Sequence, residues 1–192
     1  MNVKNMSIRQ LVLAALFLAL GILMPFLTAQ NPSLGNKLLP MHIPVLLCGF
    51  ICGWQYGLIV GLILPVFRSM LFGMPPMFPH AIAMSFELAT YGCITGLMHK
   101  LLPKRNAFVY VSLITSMICG RIVWGIVSFF LYRLDNTAFT WEIFMTGAFI
   151  NAIPGIVVQI IIIPIIIVAL ARAKLLESVN WNEHKIFVTQ TL

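Results

Sequence analysis

Three ionisable residues, Arg68, Glu87 and Arg121, interrupt stretches that are otherwise apolar enough for a membrane. A charge at membrane depth costs about 2.5–3.5 kcal/mol on insertion scales. Such residues persist where they face a protein interior and pair with one another or hold a ligand. Asn151 adds a fourth polar group within a long apolar run. Two readings of Arg68 and Glu87 stand side by side: a structural pair that neutralises itself, or polar contacts to a ligand. On either reading Arg121 meets no second carboxylate at its depth, since Asp135 and Glu142 fall in a connecting loop. An unmatched cation favours a ligand with a carboxylate, a phosphate or another acceptor-rich group. Glu87 suits a hydroxyl, an amine or a protonated ring nitrogen, or it orients an arginine. His42 and His80 stand at the starts of two apolar segments and are the second choices for ligand contact. Neither has metal-ligand spacing, and a lone interfacial histidine is commonly a capping or hydrogen-bonding residue. Phe67, Phe86, Tyr91 and Trp124 are candidates for stacking on an aromatic ligand, with ordinary packing the commoner fate of such residues.

The elements that position these groups follow from composition. The chain has 192 residues, 60% of them hydrophobic and 9% charged, with mean hydropathy +0.99. That leaves too little polar surface for a water-soluble domain. The expected fold is an all-α membrane protein, a bundle of six transmembrane helices, in segments near residues 8–29, 41–53, 54–73, 80–102, 107–132 and 141–173. A bilayer core takes roughly 20 helical residues, so the second segment is too short to cross alone unless tilted or extended; the second and third together also read as a broken hairpin. The first apolar run is too long for a cleaved signal peptide and has no small-residue cleavage site. Residues 1–175 form the expected membrane domain and 176–192 a polar cytoplasmic tail. Cys48, Cys52, Cys93 and Cys119 all lie in apolar segments and read as small buried hydrophobes, with no metal or cofactor implied.

The net charge of +7 reflects topology rather than a nucleic-acid partner. Lys4, Arg9, Lys100, Lys104, Arg105, Arg172, Lys174 and Lys185 gather at alternate segment ends, whereas the opposite loops carry only Lys37 and Arg133. By the bias of basic residues toward the cytoplasm, both termini are expected inside. Arg68, Glu87 and Asn151 then fall in the outer half of the membrane and Arg121 near its middle, a shared band from four helices that suits a site opening outward. The outer connection 30–40 is rich in turn formers. Met74-Pro75-Pro76-Met77-Phe78-Pro79 cannot be regular helix and reads either as a stiff lid or as a plain connection. Small residues four apart, Ala15 and Ala19, Gly57 and Gly61, Gly92 and Gly96, permit close helix approach, within the bundle or to a partner.

The chain resembles the substrate-binding S components of energy-coupling factor (ECF) vitamin transporters over about residues 7–175. The resemblance is carried by Arg9-Gln10-Leu11-Val12-Leu13-Ala14-Ala15-Leu16-Phe17-Leu18-Ala19-Leu20, by Pro40-Met41-His42-Ile43-Pro44-Val45-Leu46, and by Gly49-Phe50-Ile51-Cys52-Gly53-Trp54-Gln55-Tyr56-Gly57. It implies a multi-pass protein of the bacterial cell membrane that binds a water-soluble vitamin near the outer face. It also implies docking, through Ala15 and Ala19, on a transmembrane coupling subunit driven by two ATPase subunits, followed by toppling and release of the ligand inside. The chain itself has no G-x-x-x-x-G-K-[ST] motif and is not expected to be an enzyme. Pantothenate is slightly favoured as ligand because of the basic surplus; pyridoxine-like compounds and hydroxymethylpyrimidine stay open. The rivals are a small ion-coupled transporter, which usually shows two related halves, and an intramembrane enzyme, for which Ser69, Ser85 and Ser128 have no evident His–Asp partners.

Overall fold

The computed structural model describes residues 8–28, 32–103, 106–134 and 140–173. The tail 176–192 and the basic residues Lys4, Lys104, Arg105, Lys174 and Lys185 lie outside the described residues. All regular structure described is helical: α1 (Ile8–Leu23, prolonged by a 3-10 turn Met24–Thr28), α2 (Pro32–Leu38), α3 (His42–Cys52), α4 (Trp54–Phe72), α5 (Ile82–Leu101), α6 (Asn106–Leu134), α7 (Trp141–Met145) and α8 (Ile153–Arg172). Single π-helical turns, Met77–Ala81 and Thr146–Ile150, lead into α5 and α8. Five helical stretches are long and apolar enough to cross a membrane, and α3 is the shorter sixth. This is an all-α membrane bundle.

The order of contacts fixes the directions. Gly57 of α4 meets Gly92 of α5, and Gly61 meets Leu88 and Ala89, so α4 and α5 run antiparallel. Gly49 of α3 meets Gly92 and Thr95, while Phe50 packs edge-on to His99, so α3 runs with α5. Gly21 of α1 meets Leu64, and Phe26 meets Phe72, so α1 runs with α4. Gly155 near the start of α8 meets Lys37 and Leu38 just before α3, so α8 runs with α3 and α5, and Arg9, Lys100 and Arg172 stand at one end of the bundle, with the connections before α3 and α5 at the other.

In lipid there is little hydrophobic gain from bringing two apolar helices together, so close van der Waals fit decides the packing. At Gly57 and Gly92 the two backbones touch, and a Cβ on either would run into the other's main chain. The small-residue patterns of α4 and α5 are thus spent inside the bundle. Gly92→Leu should prevent this approach and sharply reduce the folded fraction recovered in detergent, read by size-exclusion profile and thermal melt; a wild-type melting curve would show that the α4–α5 seam can open without cost.

α3 is unusual in that every residue from His42 to Cys52 is buried. At about 1.5 Å per residue, eleven residues cover roughly half of the ~30 Å hydrocarbon core. The helix needs no greater length because α1, α4, α5 and α8 surround it. Gly53, at φ +96°, turns the chain straight into α4, a conformation open to glycine at little cost. The short second segment and the hairpin are therefore one feature: α3 descends part of the way and α4 returns.

Of the two connections at this end, one departs from expectation and the other keeps to it. Residues 30–40 are not simply a turn, because Pro32–Leu38 forms a helix. Pro32 sits at its start, where a missing N–H is harmless, and Lys37 lies in its last turn, where a cation suits the helix dipole. Leu39 then ends it at φ +50°, donating its N–H to the Gly35 carbonyl. In the proline-rich connection Phe78 is extended, as expected of a segment that cannot be regular helix, and the Ala81 N–H donates to the Pro76 carbonyl just before α5 begins.

Candidate functional site

Because α3 begins only part of the way down, the bundle centre above His42 is left unfilled. There lies a cavity of about 310 Å³, at the small end of the range for ligand sites. Its wall comes from the extension of α1 (Pro25, Thr28), the approach to α3 (Leu39, Pro40, Met41), and the start of α5 (Met84). Met74, Pro75 and Pro76 of the proline-rich connection also border it. Four polar side chains stand in this mostly apolar wall: Thr28, whose hydroxyl donates to the Pro25 carbonyl, and the ionisable His42, Arg68 and His80.

Arg68 is buried, yet it has no carboxylate partner among the described residues. Its Nη1 donates to the Ile22 carbonyl at 2.6 Å, and its guanidinium carbon lies 5.5 Å from the ring centre of Phe26 and 5.3 Å from that of Phe72. Aromatic faces stabilise a cation without neutralising it. The same guanidinium that borders the cavity thus holds the carbonyl end of α1.

Glu87 does not pair with Arg68. Its Oε1 lies 3.0 Å from Arg121 Nη1 and 3.5 Å from His42 Nε2, with all three side chains buried. Counting residues from the segment ends set Arg121 deeper than Glu87, yet the two meet across α5 and α6. Gly120 removes the remaining obstacle: the Tyr91 ring occupies the place of its absent side chain, so α5 and α6 close on each other. Tyr91 also interacts with both Glu87 and Arg121, and its ring centre lies 5.3 Å from that of His42. The unmatched cation is therefore Arg68, not Arg121. Arg121 Nε and Nη2 nevertheless find no protein acceptor.

His80 lies at the other side of the cavity, with Nδ1 3.2 Å from the Tyr132 hydroxyl of α6. Asn151 is not gathered into this group: it is exposed at the junction between the π-helical turn and α8. One extra residue in a turn rotates the following face by about 100° relative to α-helical spacing, which accounts for the outward position. Of the aromatic candidates, Phe67 and Phe86 are exposed on the flanks, Trp124 stacks on Phe144, and Tyr91 is buried behind His42; none borders the cavity. Sequence reasoning passed over Thr28 and the methionines Met41 and Met84, whose types announce nothing beyond ordinary packing. It also passed over the tie from Gln159 Nε2 to the Leu39 carbonyl, 3.4 Å, by which α8 braces the cavity wall.

Ala14 of α1 is buried, whereas Ala15 and Ala19, one turn apart, are exposed on a different face of the helix. The two alanines thus take no part in closing the bundle, unlike the glycine pairs of α4 and α5.

Set against known families, residues 9–167 match the family described as "ECF transporter, substrate-specific component". No curated protein and no solved structure matches the chain.

Proposed function

The chain belongs to the family of ECF transporter substrate-specific components, and we propose that it captures a water-soluble vitamin or vitamin precursor carrying an anionic group. The observation that carries this reading is Arg68, a buried cation at the wall of a vitamin-sized cavity with no acid to neutralise it among the described residues. A carboxylate or phosphate supplies the missing countercharge, and the guanidinium fork suits either. The methionine and proline wall accepts an apolar body, while His42 and His80 offer polar contacts farther along. Pantothenate, with a carboxylate at one end and hydroxyls at the other, matches this layout best among the candidates.

Members of the family work with a membrane coupling subunit and ATPases. In the proposed complex, two ATPase subunits hydrolyse ATP, and this chain contributes binding and delivery. The bias of Arg9, Lys100 and Arg172 to the end opposite the cavity supports termini in the cytoplasm and a cavity opening outward. The exposed Ala15 and Ala19 supply the flat surface on which the coupling subunit docks.

Mass spectrometry of small molecules released from the purified, unsupplemented protein tests the ligand assignment, with one equivalent of an anionic vitamin as the expected result. Failure to bind any anionic member of a vitamin panel would sink it. Changing Ala15 and Ala19 together to Trp should abolish uptake and co-purification of the coupling subunit while leaving ligand affinity within about twofold, the scale of a remote surface change. Intact assembly would remove these residues from the docking face.

A further inference from the structure

We infer that Glu87 is a positioning residue of the ligand site: it acts through His42, fixes the proton of that imidazole on Nε2, and so leaves Nδ1 as an acceptor for a hydroxyl or amide N–H of the ligand. The inference rests on the reading of the cavity as a ligand site and adds a second requirement to it: the molecule must carry a hydrogen-bond donor as well as an anionic group.

The geometry points this way in three steps. Glu87, ionised in its pair with Arg121, has only acceptor oxygens, and the ring nitrogen nearest to it is Nε2. A nitrogen that faces an acceptor-only group carries the ring proton. At 3.5 Å the contact is long for a hydrogen bond, so it acts mainly by electrostatic orientation. Second, the imidazole is neutral. Arg121 already balances Glu87, and a further positive charge would leave the buried group with an uncompensated cation. Neutral imidazole protonated on one nitrogen must accept at the other. Third, among the described residues neither ring nitrogen of His42 has a protein hydrogen-bond partner, but Nε2 has the Glu87 carboxylate 3.5 Å away, so Nδ1 is the nitrogen left for a ligand where His42 and Arg68 border the same cavity. An acceptor left empty within a protein interior is costly, and a ligand donor would satisfy it. The ring is held in place by Tyr91, which packs against it and also touches Glu87 and Arg121. These are the titratable and charged groups that face His42 from α5 and α6.

The test is nitrogen-15 NMR of the full chain in lipid bilayers, with histidine ring nitrogens labelled and His42 assigned by its disappearance in His42→Gln. The expected pattern is a neutral ring with Nε2 protonated and Nδ1 bare. A proton on Nδ1, or on both nitrogens, would overturn the inference. Glu87→Gln offers an amide that can donate as well as accept, so both tautomers of His42 should appear. Because that change strips Arg121 of its countercharge, Glu87→Gln combined with Arg121→Gln is measured beside it and should give the same mixture. An unchanged tautomer in the double variant would overturn the role of Glu87 even if the single variant does not fold. Pantothenate is then added as the probe. Its binding should shift the Nδ1 resonance, and binding that leaves Nδ1 unmoved would overturn the donor requirement. Wild-type protein that binds no pantothenate counts against that vitamin, whereas the tautomer measurements still decide the role of Glu87.

Discussion

Arg121→Ala is expected to destabilise the folded protein by about 3–5 kcal/mol, the usual cost of removing one partner from a buried ion pair. The reason lies in what remains. Glu87 stays buried, with His42 Nε2 at 3.5 Å and Tyr91 as its remaining polar neighbours. Neither matches a guanidinium nitrogen at 3.0 Å as a countercharge. The reciprocal change, Glu87→Ala, strands a cation and should cost a similar amount. Replacing both at once, Glu87→Leu with Arg121→Met, removes the charges together and should restore most of the loss, because an apolar pair of similar volume carries no desolvation penalty. Denaturant unfolding of the wild type and the three variants in the same detergent checks these expectations. Should Arg121→Ala instead melt like wild type while losing ligand affinity, Arg121 would be a ligand contact and the pair with Glu87 incidental. Its two unsatisfied donors, Nε and Nη2, make that outcome a real alternative for the measurement to decide.

This pair also shows where reading a sequence stops. Hydropathy and the distribution of Lys and Arg carried the bundle: they depend on composition along each segment, and a membrane helix must satisfy its backbone internally whatever its neighbours are. The weakness at residues 41–53 was visible too, since length alone marks α3 as too short. What that shortness does was not legible. A helix of eleven residues can be idle or can create a cavity at its end, and only the surrounding helices decide. Partner choice among the charges failed for a related reason. Glu87 could reach Arg68 or Arg121 by depth, and the outcome turned on Gly120, where an absent side chain admits Tyr91 and lets α5 and α6 approach. No charge pattern encodes that. Asn151 fails similarly, because a π-helical turn changes which face a residue occupies without any mark in the residue itself. Arg68, His42 and His80, by contrast, stand out by type and by place in or beside apolar segments, and all three border one cavity.

Arg68→Ala is expected to weaken binding of an anionic ligand by about 2–5 kcal/mol, the range for truncating one member of a buried hydrogen-bonded charge pair. In dissociation constants that is roughly thirtyfold to several thousandfold. Part of the change has another source, since Arg68 also donates to the Ile22 carbonyl and its loss frees the end of α1. Two comparisons separate the contributions. Arg68→Lys keeps the charge but not the planar fork, so it should recover only part of the affinity if the ligand is held in a bidentate manner. Masking the anionic group of the ligand, as a methyl ester if it is a carboxylate, should weaken binding to wild type strongly and to Arg68→Ala very little. That non-additivity is the direct measure of contact between the two groups. Equal losses from the ester in both proteins would mean that the anion lies elsewhere and that Arg68 serves α1 alone. Calorimetric titration of the two ligands into the two proteins decides between a ligand-binding arginine and a structural one, and on that decision rests the assignment of an anionic substrate.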